Sequence, residues 1–441
     1  MCETSACFMR SSRLPLVMFI ATIALMSGAL GWLVFETTRA PDMPVVKQTA
    51  PVSRPAPAVM PHSAPPRASG PASPQPPADA GPRIESLNVP GALPNEAILT
   101  FRTAEALAAF RDRAASLGLE VLGHDARLRS ARVRFNNTRG LQADLAAHAD
   151  DYNSVGPNYV VRIPGLPAPA PQTDTSNAGG HEPFRSQGLN AIGATGDHST
   201  WGRGVTVAVI DSGITAHPSL QNAQITHIDL VNDGSEMNGH GTAMASLIAG
   251  SGNNVDGVAP AAKLLDIRVG DSNGDSNTAL LSSAILKATD LGARVINISL
   301  GSNGSSPMLE EAVRYALSRN VVIVAAAGNE QQTALSMPAG LPGVLSVGAV
   351  DASGTQAWFS NSGTGLTLVA PGVGIVSAYA DGKLVIGSGT SQATAITTGV
   401  VASLLARGYF GPNIIPLLTR TAEPLNAPAT AVGAGLIQIP K

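Results

Sequence analysis

Cysteine is nearly absent from this sequence of 441 residues, which is long enough for two or three domains. Cys2 and Cys7 are the only cysteines, so no disulfide framework holds the folded part together, and zinc–thiolate or thiol chemistry is excluded there. Charge is also scarce, because charged residues make up 13% of the chain and the formal net charge is −3. Without a basic excess, nothing indicates a nucleic-acid partner.

A long apolar run without any charge covers residues 14–35, directly after Arg10 and Arg13. Its 22 residues are long enough to cross a hydrocarbon core of about 30 Å. The preceding arginines favour a cytoplasmic N-terminus, residues 1–13, and a chain body outside. The alternative is a cleaved signal peptide, with a weak small-residue site at 27–29. The apolar run continues past that site, which favours a retained membrane anchor.

Two segments have the composition of linkers. Residues 36–83 contain a stretch with thirteen prolines among alanine and serine, which predicts an extended stalk without a core. Residues 165–186 are again rich in proline, alanine, threonine and glycine. Exposed, structureless linkers are where proteolytic nicking concentrates, so we expect maturation cleavage in this second segment.

Residues 84–164 have the pattern of a small α+β domain. Strand patterns at 97–101, 119–122, 131–135 and 158–162 are combined with helix patterns at 104–117 and 141–152. The resulting β-α-β-β-α-β order predicts a ferredoxin-like split motif. A small domain with an unrelated role is the alternative.

Residues 187–441 predict a three-layer α/β/α domain. Short apolar runs alternate with helical patterns, and this alternation favours a mostly parallel sheet that is covered on both faces. The predicted strands are 205–210, 264–269, 295–300, 321–327, 344–350 and 366–370, and the predicted helices are 244–250, 278–291 and 307–318. Sites in such sheets lie beyond the carboxyl ends of the strands.

Three polar residues stand at the ends of these elements. Asp211 follows an apolar strand, His240 opens a helical pattern, and Ser391 lies on the first turn of a helix that is apolar nearly all round. Taken singly, each residue is an ordinary turn, surface or N-cap residue. Together they give the chain order Asp, His, Ser, which is one of the known orders of a nucleophilic triad.

The sequence resembles the subtilisin-like serine peptidases over roughly residues 187–439. The motifs that carry the resemblance are, in order, DSGI (211–214), HP (217–218), HGT (240–242), VAP (258–260), SLG (299–301), AAGN (326–329), APG (370–372) and GTS (389–391). Residues 84–164 resemble the inhibitory propeptide of such zymogens, notably in GPNYV at 156–160.

The resemblance implies a role for each matching residue. Ser391 would be the nucleophile, His240 the general base, Asp211 the group that orients the imidazole, and Asn329 an oxyanion donor. Protein or peptide substrates would bind as an added strand.

One substrate-binding edge would be Ser299, Leu300 and Gly301. Ala326 and Gly328 would form a wall of the pocket for the residue before the scissile bond. Their small side chains suggest medium or large apolar residues at that position.

Some positions depart from the family pattern. Gln392 replaces the usual methionine after the serine, Ala395 the usual proline, and Ala243 a common second histidine. We expect the helix to form nevertheless, with altered packing. No cofactor is required, and a structural calcium ion is left open but is not supported by the sequence. The loop at 251–256 is short, and DSNGD at 271–275 lacks the sixth-position glycine and the distal glutamate of a 12-residue calcium loop.

Two function classes follow from these observations. The first is a serine endopeptidase that is made as a zymogen and exported, with its catalytic domain on the extracytoplasmic face, either anchored through residues 14–35 or secreted after processing. The second is a catalytically silent peptidase fold that binds peptides or proteins at the cell surface. The complete Asp, His, Ser and Asn set favours the first.

Overall fold

The computed structural model describes residues 84–163, 181–252 and 255–440. The predicted cytoplasmic segment 1–13, the membrane anchor 14–35, the stalk 36–83 and most of the linker 165–186 lie outside the described residues. Within the described ranges, no helix is both long and apolar enough to cross a membrane.

The N-terminal region has the β-α-β-β-α-β order predicted from the sequence. Its elements are β1 (Ala92–Phe101), α1 (Ala104–Ala114), β2 (Leu119–Asp125), β3 (Ser130–Phe135), α2 (Arg139–Ala147) and β4 (Tyr152–Arg162). The strands form an antiparallel sheet in the order β2-β3-β1-β4. Thr103 caps α1, because its hydroxyl accepts a hydrogen bond from Ala106 N at 3.1 Å.

Alternate side chains of β1 belong to two different hydrophobic cores, one on each face of this sheet. Leu99 and Phe101 pack with Phe110 of α1 and Tyr152 in the core of the N-terminal region. Ile98 points to the opposite face and belongs to a core that it shares with the C-terminal region. Successive side chains of a strand point to opposite faces. One face of the sheet therefore packs against α1 and α2, and the other packs against the C-terminal region.

The C-terminal region is built on a parallel sheet. Its elements begin with α3 (Gly188–Ala191), β5 (Thr206–Asp211), β6 (Gln224–Asp229), α4 (His240–Ala249), β7 (Lys263–Arg268), β8 (Asp275–Asn277), α5 (Thr278–Asp290), β9 (Val295–Ile298), α6 (Pro307–Ser318) and β10 (Val322–Ala326). They continue with β11 (Leu345–Val350), β12 (Leu368–Pro371), β13 (Ile375–Ala378), β14 (Leu384–Gly387), α7 (Thr390–Ala406), α8 (Gly411–Thr421) and α9 (Ala429–Val432). Seven parallel strands lie in the order β12-β11-β10-β9-β5-β7-β6.

Helices cover both faces of this sheet. Val207 and Val209 pack with α4, α7 and α8, whereas Ala208 and Ile210 pack with α5 and α6. The three-layer α/β/α arrangement follows from this alternation, because a parallel strand buried on both sides is apolar at every position. Because β5, β9 and β10 are parallel, their carboxyl ends lie at one edge of the sheet. Asp211, Ser299 and Asn329 are found at this edge.

The helix α7 passes through the centre of the C-terminal region. Its residues from Thr390 to Leu405 are buried, as expected of a helix without a polar face. Small residues allow this depth: a side chain at Gly399 would place its Cβ 2.6 Å from the Cβ of Val258.

The structure differs from the predicted elements at several boundaries. The second helix of the N-terminal region ends at Ala147 rather than continuing to Tyr152, which opens β4. Strands β6, β8, β13 and β14 were not predicted. Strand β6 lies at the edge of the sheet and is largely exposed, so it lacks an apolar run. Strand β8 has three polar residues and exists only through its pairing with β4.

Candidate active site

Asp211 and His240 form a buried pair. Asp211 ends β5 and His240 opens α4, and the imidazole Nδ1 lies 2.9 Å from both carboxylate oxygens. The backbone N–H of Ser212 also donates to Asp211 Oδ1 at 2.7 Å. Asp211 is fully buried and His240 is 2% exposed. This geometry assigns the Nδ1 proton to the side of the carboxylate, so Nε2 of the neutral ring is the available base.

Ser391 lies on the first turn of α7, as the sequence predicted. Its hydroxyl donates to the main-chain carbonyl of Ser299 at 3.2 Å. In this conformation of the described residues, no hydrogen bond joins Ser391 to His240. Of the three predicted triad residues, Asp211 and His240 are therefore in contact, whereas the hydroxyl of Ser391 points to Ser299.

A buried hydrogen-bond chain supports the backbone at Ser391. Thr398 Oγ1 donates to Asn297 Oδ1 at 3.0 Å, Asn297 Nδ2 donates to Ser299 Oγ at 3.0 Å, and Ser299 Oγ donates to Ser391 O at 3.3 Å. Sequence reasoning missed Asn297 and Thr398. A signal was available, because Asn297 is a polar residue inside the apolar strand β9 and a buried amide needs partners.

Asn329 is held by the residue that precedes Ser391. Its Oδ1 accepts from both the backbone N–H and the hydroxyl of Thr390, each at 2.9 Å. Thr390 Oγ1 in turn accepts from Gly328 N at 3.2 Å. Because Oδ1 is committed to Thr390, the donor Nδ2 points away from it.

The donors Asn329 Nδ2 and Ser391 N border the same space beside Gly389. A Cβ placed on Gly389 would lie 3.0 Å from Asn329 Nδ2, 3.7 Å from Ser391 N and 2.8 Å from Gln392 Oε1. Glycine at this position therefore keeps the space open. Two N–H groups that converge on one point can stabilise a negative oxygen there.

The predicted substrate edge is occupied by a strand of the chain itself. Arg162 and Gly301 exchange backbone hydrogen bonds of 2.9 and 3.0 Å, and Ile163 N donates to Gly274 O at 3.0 Å. On its other side, β4 pairs antiparallel with β8. The end of β4 thus lies between two edges of the C-terminal region.

A cavity of about 220 Å³ opens beside this strand. Leu300, Gly301, Ala326 and Gly328, all predicted from the sequence, are among its lining residues. Glu330, which was not predicted, lines it as well. Its carboxylate accepts from Asn361 Nδ2 at 2.9 Å and lies against the backbone of Gly328.

Both ring nitrogens of His217, in the HP motif, contact groups that lie outside the proposed triad. Its Nδ1 faces Ser219 Oγ at 2.8 Å, and its Nε2 faces Lys383 O at 3.1 Å. Burial lowers the pKa of this imidazole. His217 therefore ties the loop after Asp211 to the segment that precedes β14.

Comparison with known proteins identifies the family. The subtilase family model matches residues 202–435, more than half of the chain. The chain belongs to the subtilase family. It is 38% identical to the thermophilic serine proteinase of Bacillus sp. (strain AK1), over 53% of this chain and 60% of that protein. It is 37% identical to subtilisin Savinase of Lederbergia lenta, over 57% of this chain and 95% of that protein.

Solved structures agree with this subtilase assignment. Fervidolysin from Fervidobacterium pennivorans, described as a keratinolytic enzyme related to subtilisin, has a TM-score of 0.69 at 26% identity. The match covers 82% of this chain and 64% of fervidolysin, so it extends beyond the region of the family model. The protease domain of PatA has a TM-score of 0.51 at 32% identity and covers 55% of this chain.

The departures of this subtilase from the family pattern leave α7 intact. The helix runs without interruption from Thr390 to Ala406 although Ala395 replaces proline. Gln392 is buried, and its Oε1 accepts no hydrogen bond from the described residues. No group of three His, Cys, Asp or Glu side chains within the described ranges is placed to hold a metal ion.

Proposed function

We propose that this subtilase is a serine endopeptidase. The observation that carries the proposal is the buried contact between Asp211, at the end of β5, and His240, at the start of α4. Helix α4 packs against α7, the helix that presents Ser391. Ser391 Oγ turns from the Ser299 carbonyl and attacks a peptide carbonyl while His240 Nε2 takes its proton. His240 then protonates the leaving amine. In deacylation, water attacks the acyl-enzyme while His240 takes the proton of the water and returns it to Ser391 Oγ.

Asn329 supplies the side-chain donor to the developing oxyanion, and Ser391 N supplies the backbone donor. Support comes from the fixed amide orientation, in which Thr390 occupies Asn329 Oδ1. Asp211 orients the imidazole and stabilises the imidazolium. Loss of one oxyanion donor lowers turnover of subtilisin about 10²- to 10³-fold, and we expect a similar effect here.

The N-terminal region, residues 84–164, acts as an inhibitory propeptide in this proposal. Its strand β4 occupies the edge at Gly301 through main-chain hydrogen bonds, as a substrate strand would. Asn158 accepts from Thr278 Oγ1 at 3.0 Å and Ala279 N at 3.2 Å, so it caps α5 from outside. Arg127 forms an ion pair with Asp290 at the other end of that helix.

We further propose that the protein is exported and keeps its anchor at residues 14–35. The support is the length of the apolar run, the arginines before it and the proline-rich stalk after it. We expect the full-length form in the membrane fraction, resistant to alkaline washing. Recovery of all the propeptide-bearing form in the medium, with an N-terminus near Leu30, would indicate a cleaved signal peptide instead.

Ser391→Ala tests the catalytic role. Without the nucleophile, we expect hydrolysis of casein to fall by about 10⁶-fold, the loss seen in subtilisin. Self-processing within residues 165–186 should stop as well. Ser403→Ala is the matched control, because Ser403 is a buried serine of the same helix whose hydroxyl donates to Val400 O, away from the proposed triad. Maturation of Ser391→Ala at the wild-type rate would show that another protease cuts the linker, and inactive wild type would favour the binding-protein alternative.

Asn158→Ala tests the propeptide role. Residues 84–164, made separately, should inhibit the mature domain at stoichiometric amounts. The substitution removes the cap on α5 and one partner of Glu96, so we expect the inhibition constant to rise about 10- to 100-fold. Asn153→Ala, at an exposed position of the same strand, should inhibit like the wild type. No inhibition by the unsubstituted fragment at micromolar concentration would leave this region as a spacer.

Glu330→Gln tests the pocket. The sequence suggested apolar residues before the scissile bond, but a carboxylate lines the cavity, so we expect lysine and arginine to be accepted there. The substitution should lower kcat/KM for a lysine peptide about three- to tenfold relative to a leucine peptide. Glu311→Gln on the surface of α6 is the charge-matched control. An unchanged lysine-to-leucine ratio would show that Glu330 does not set specificity.

A further inference from the structure

A second aspartate–histidine pair lies next to the proposed catalytic one. His227 of β6 and Asp266 of β7 are opposite each other in the sheet, and His227 Nδ1 lies 2.6 Å from Asp266 Oδ2. The side chain of Asp266 is 1% exposed, whereas that of His227 is 39% exposed. The mechanism described above uses neither residue.

Asp266 also holds the loop that follows Asp211. Its Oδ2 accepts a hydrogen bond from Ile214 N at 2.9 Å, three residues after the aspartate. The next residue, Thr215, donates from its backbone N–H to Thr242 Oγ1 at 2.8 Å on α4. The same short loop therefore connects Asp266, Asp211 and the helix that carries His240.

The buried carboxylate of Asp266 has few partners that could offset its negative charge. Its Oδ1 is buried and accepts no hydrogen bond from the described residues. Burial raises the pKa of Asp266, the negative charge of Asp211 raises it further, and the contacts with His227 and Ile214 N oppose this rise. An ionised group in such a position needs a nearby partner, and His227 is placed to be one.

The other charged groups near Asp266 have partners of their own. Arg268, two residues later on β7, forms ion pairs with Asp229 and Asp233. His217, after the loop, contacts Ser219 and Lys383 O. Helix α4 carries no titratable residue besides His240, and α7 carries none.

We propose that Asp266 and His227 form a positioning pair for the catalytic aspartate. Asp266 fixes the Asp211 loop through Ile214 N and places a second negative charge beside Asp211, and His227 keeps that charge compensated from the exposed edge of the sheet. The inference rests on the proposed peptidase function. A negative charge at Asp266 favours the imidazolium form of His240, which forms during each proton transfer.

The test follows protonation of His240 directly, so it does not depend on activity. Histidine NMR titrations are recorded on the full-length Ser391→Ala chain with Asp266→Asn, with His227→Gln and with Glu311→Gln as control. Asp266→Asn removes a negative charge but keeps an acceptor for Ile214 N. We expect the titration midpoint of His240 to move to lower pH by about 0.3 unit or more. His227→Gln removes the imidazole partner of Asp266, so its His240 midpoint should also differ from that of the Glu311→Gln control.

The same substitutions in the active chain give a second readout. Asp266→Asn should shift the acidic limb of the kcat/KM profile in the same direction as the NMR midpoint. Asp266→Ala, which also removes the acceptor for Ile214 N, should lower kcat about tenfold or more with KM little changed, because it loosens the Asp211 loop. If the His240 midpoint in folded Asp266→Asn matches Glu311→Gln, the proposal is wrong. An inactive wild type with the NMR shift present would instead contradict only the peptidase function.

Discussion

Burial of the N-terminus of α7 is the constraint on which the site depends. The first-turn N–H groups of a helix have no intrahelical partners, and water is excluded from this one. Thr390 N is satisfied by Asn329, which fixes the amide of Asn329 and, through Thr390 Oγ1, the turn at Gly328. One residue later, Ser391 N is available for an oxyanion and Ser391 Oγ for chemistry. The need to satisfy a buried helix end thus builds the donor site.

The two sides of the cleft present backbone rather than side chains to their ligand. Strand β4 reaches Gly301 on one side and β8 on the other, so its binding needs an extended conformation more than a particular sequence. Specific contacts lie further back along the strand. Gly156 packs directly on Pro307, where a side chain would come within 2.7 Å of the ring, and Asn158 caps α5. Under the proposed function, this arrangement lets one cleft hold both a propeptide tail and diverse substrates.

Electrostatics at the carboxyl edge of the sheet involves two acids on neighbouring strands. Asp211 has His240 as its partner and Asp266 has His227, so each buried carboxylate faces an imidazole. In the proposed positioning role, a change in one pair is felt by the other, because buried charges are weakly screened.

The sequence alone determined the layers of the fold and the approximate positions of its main strands, because period and composition are local properties. It also placed Asp211, His240 and Ser391 at element ends that a parallel sheet must bring to one edge. Tertiary structure decided which polar residues meet. Asn297 and Thr398, or His227 and Asp266, lie far apart in the chain, and a buried polar residue does not encode its partner locally. Strand β8 shows the same limit, since three polar residues become a strand only when β4 supplies the hydrogen bonds that they need.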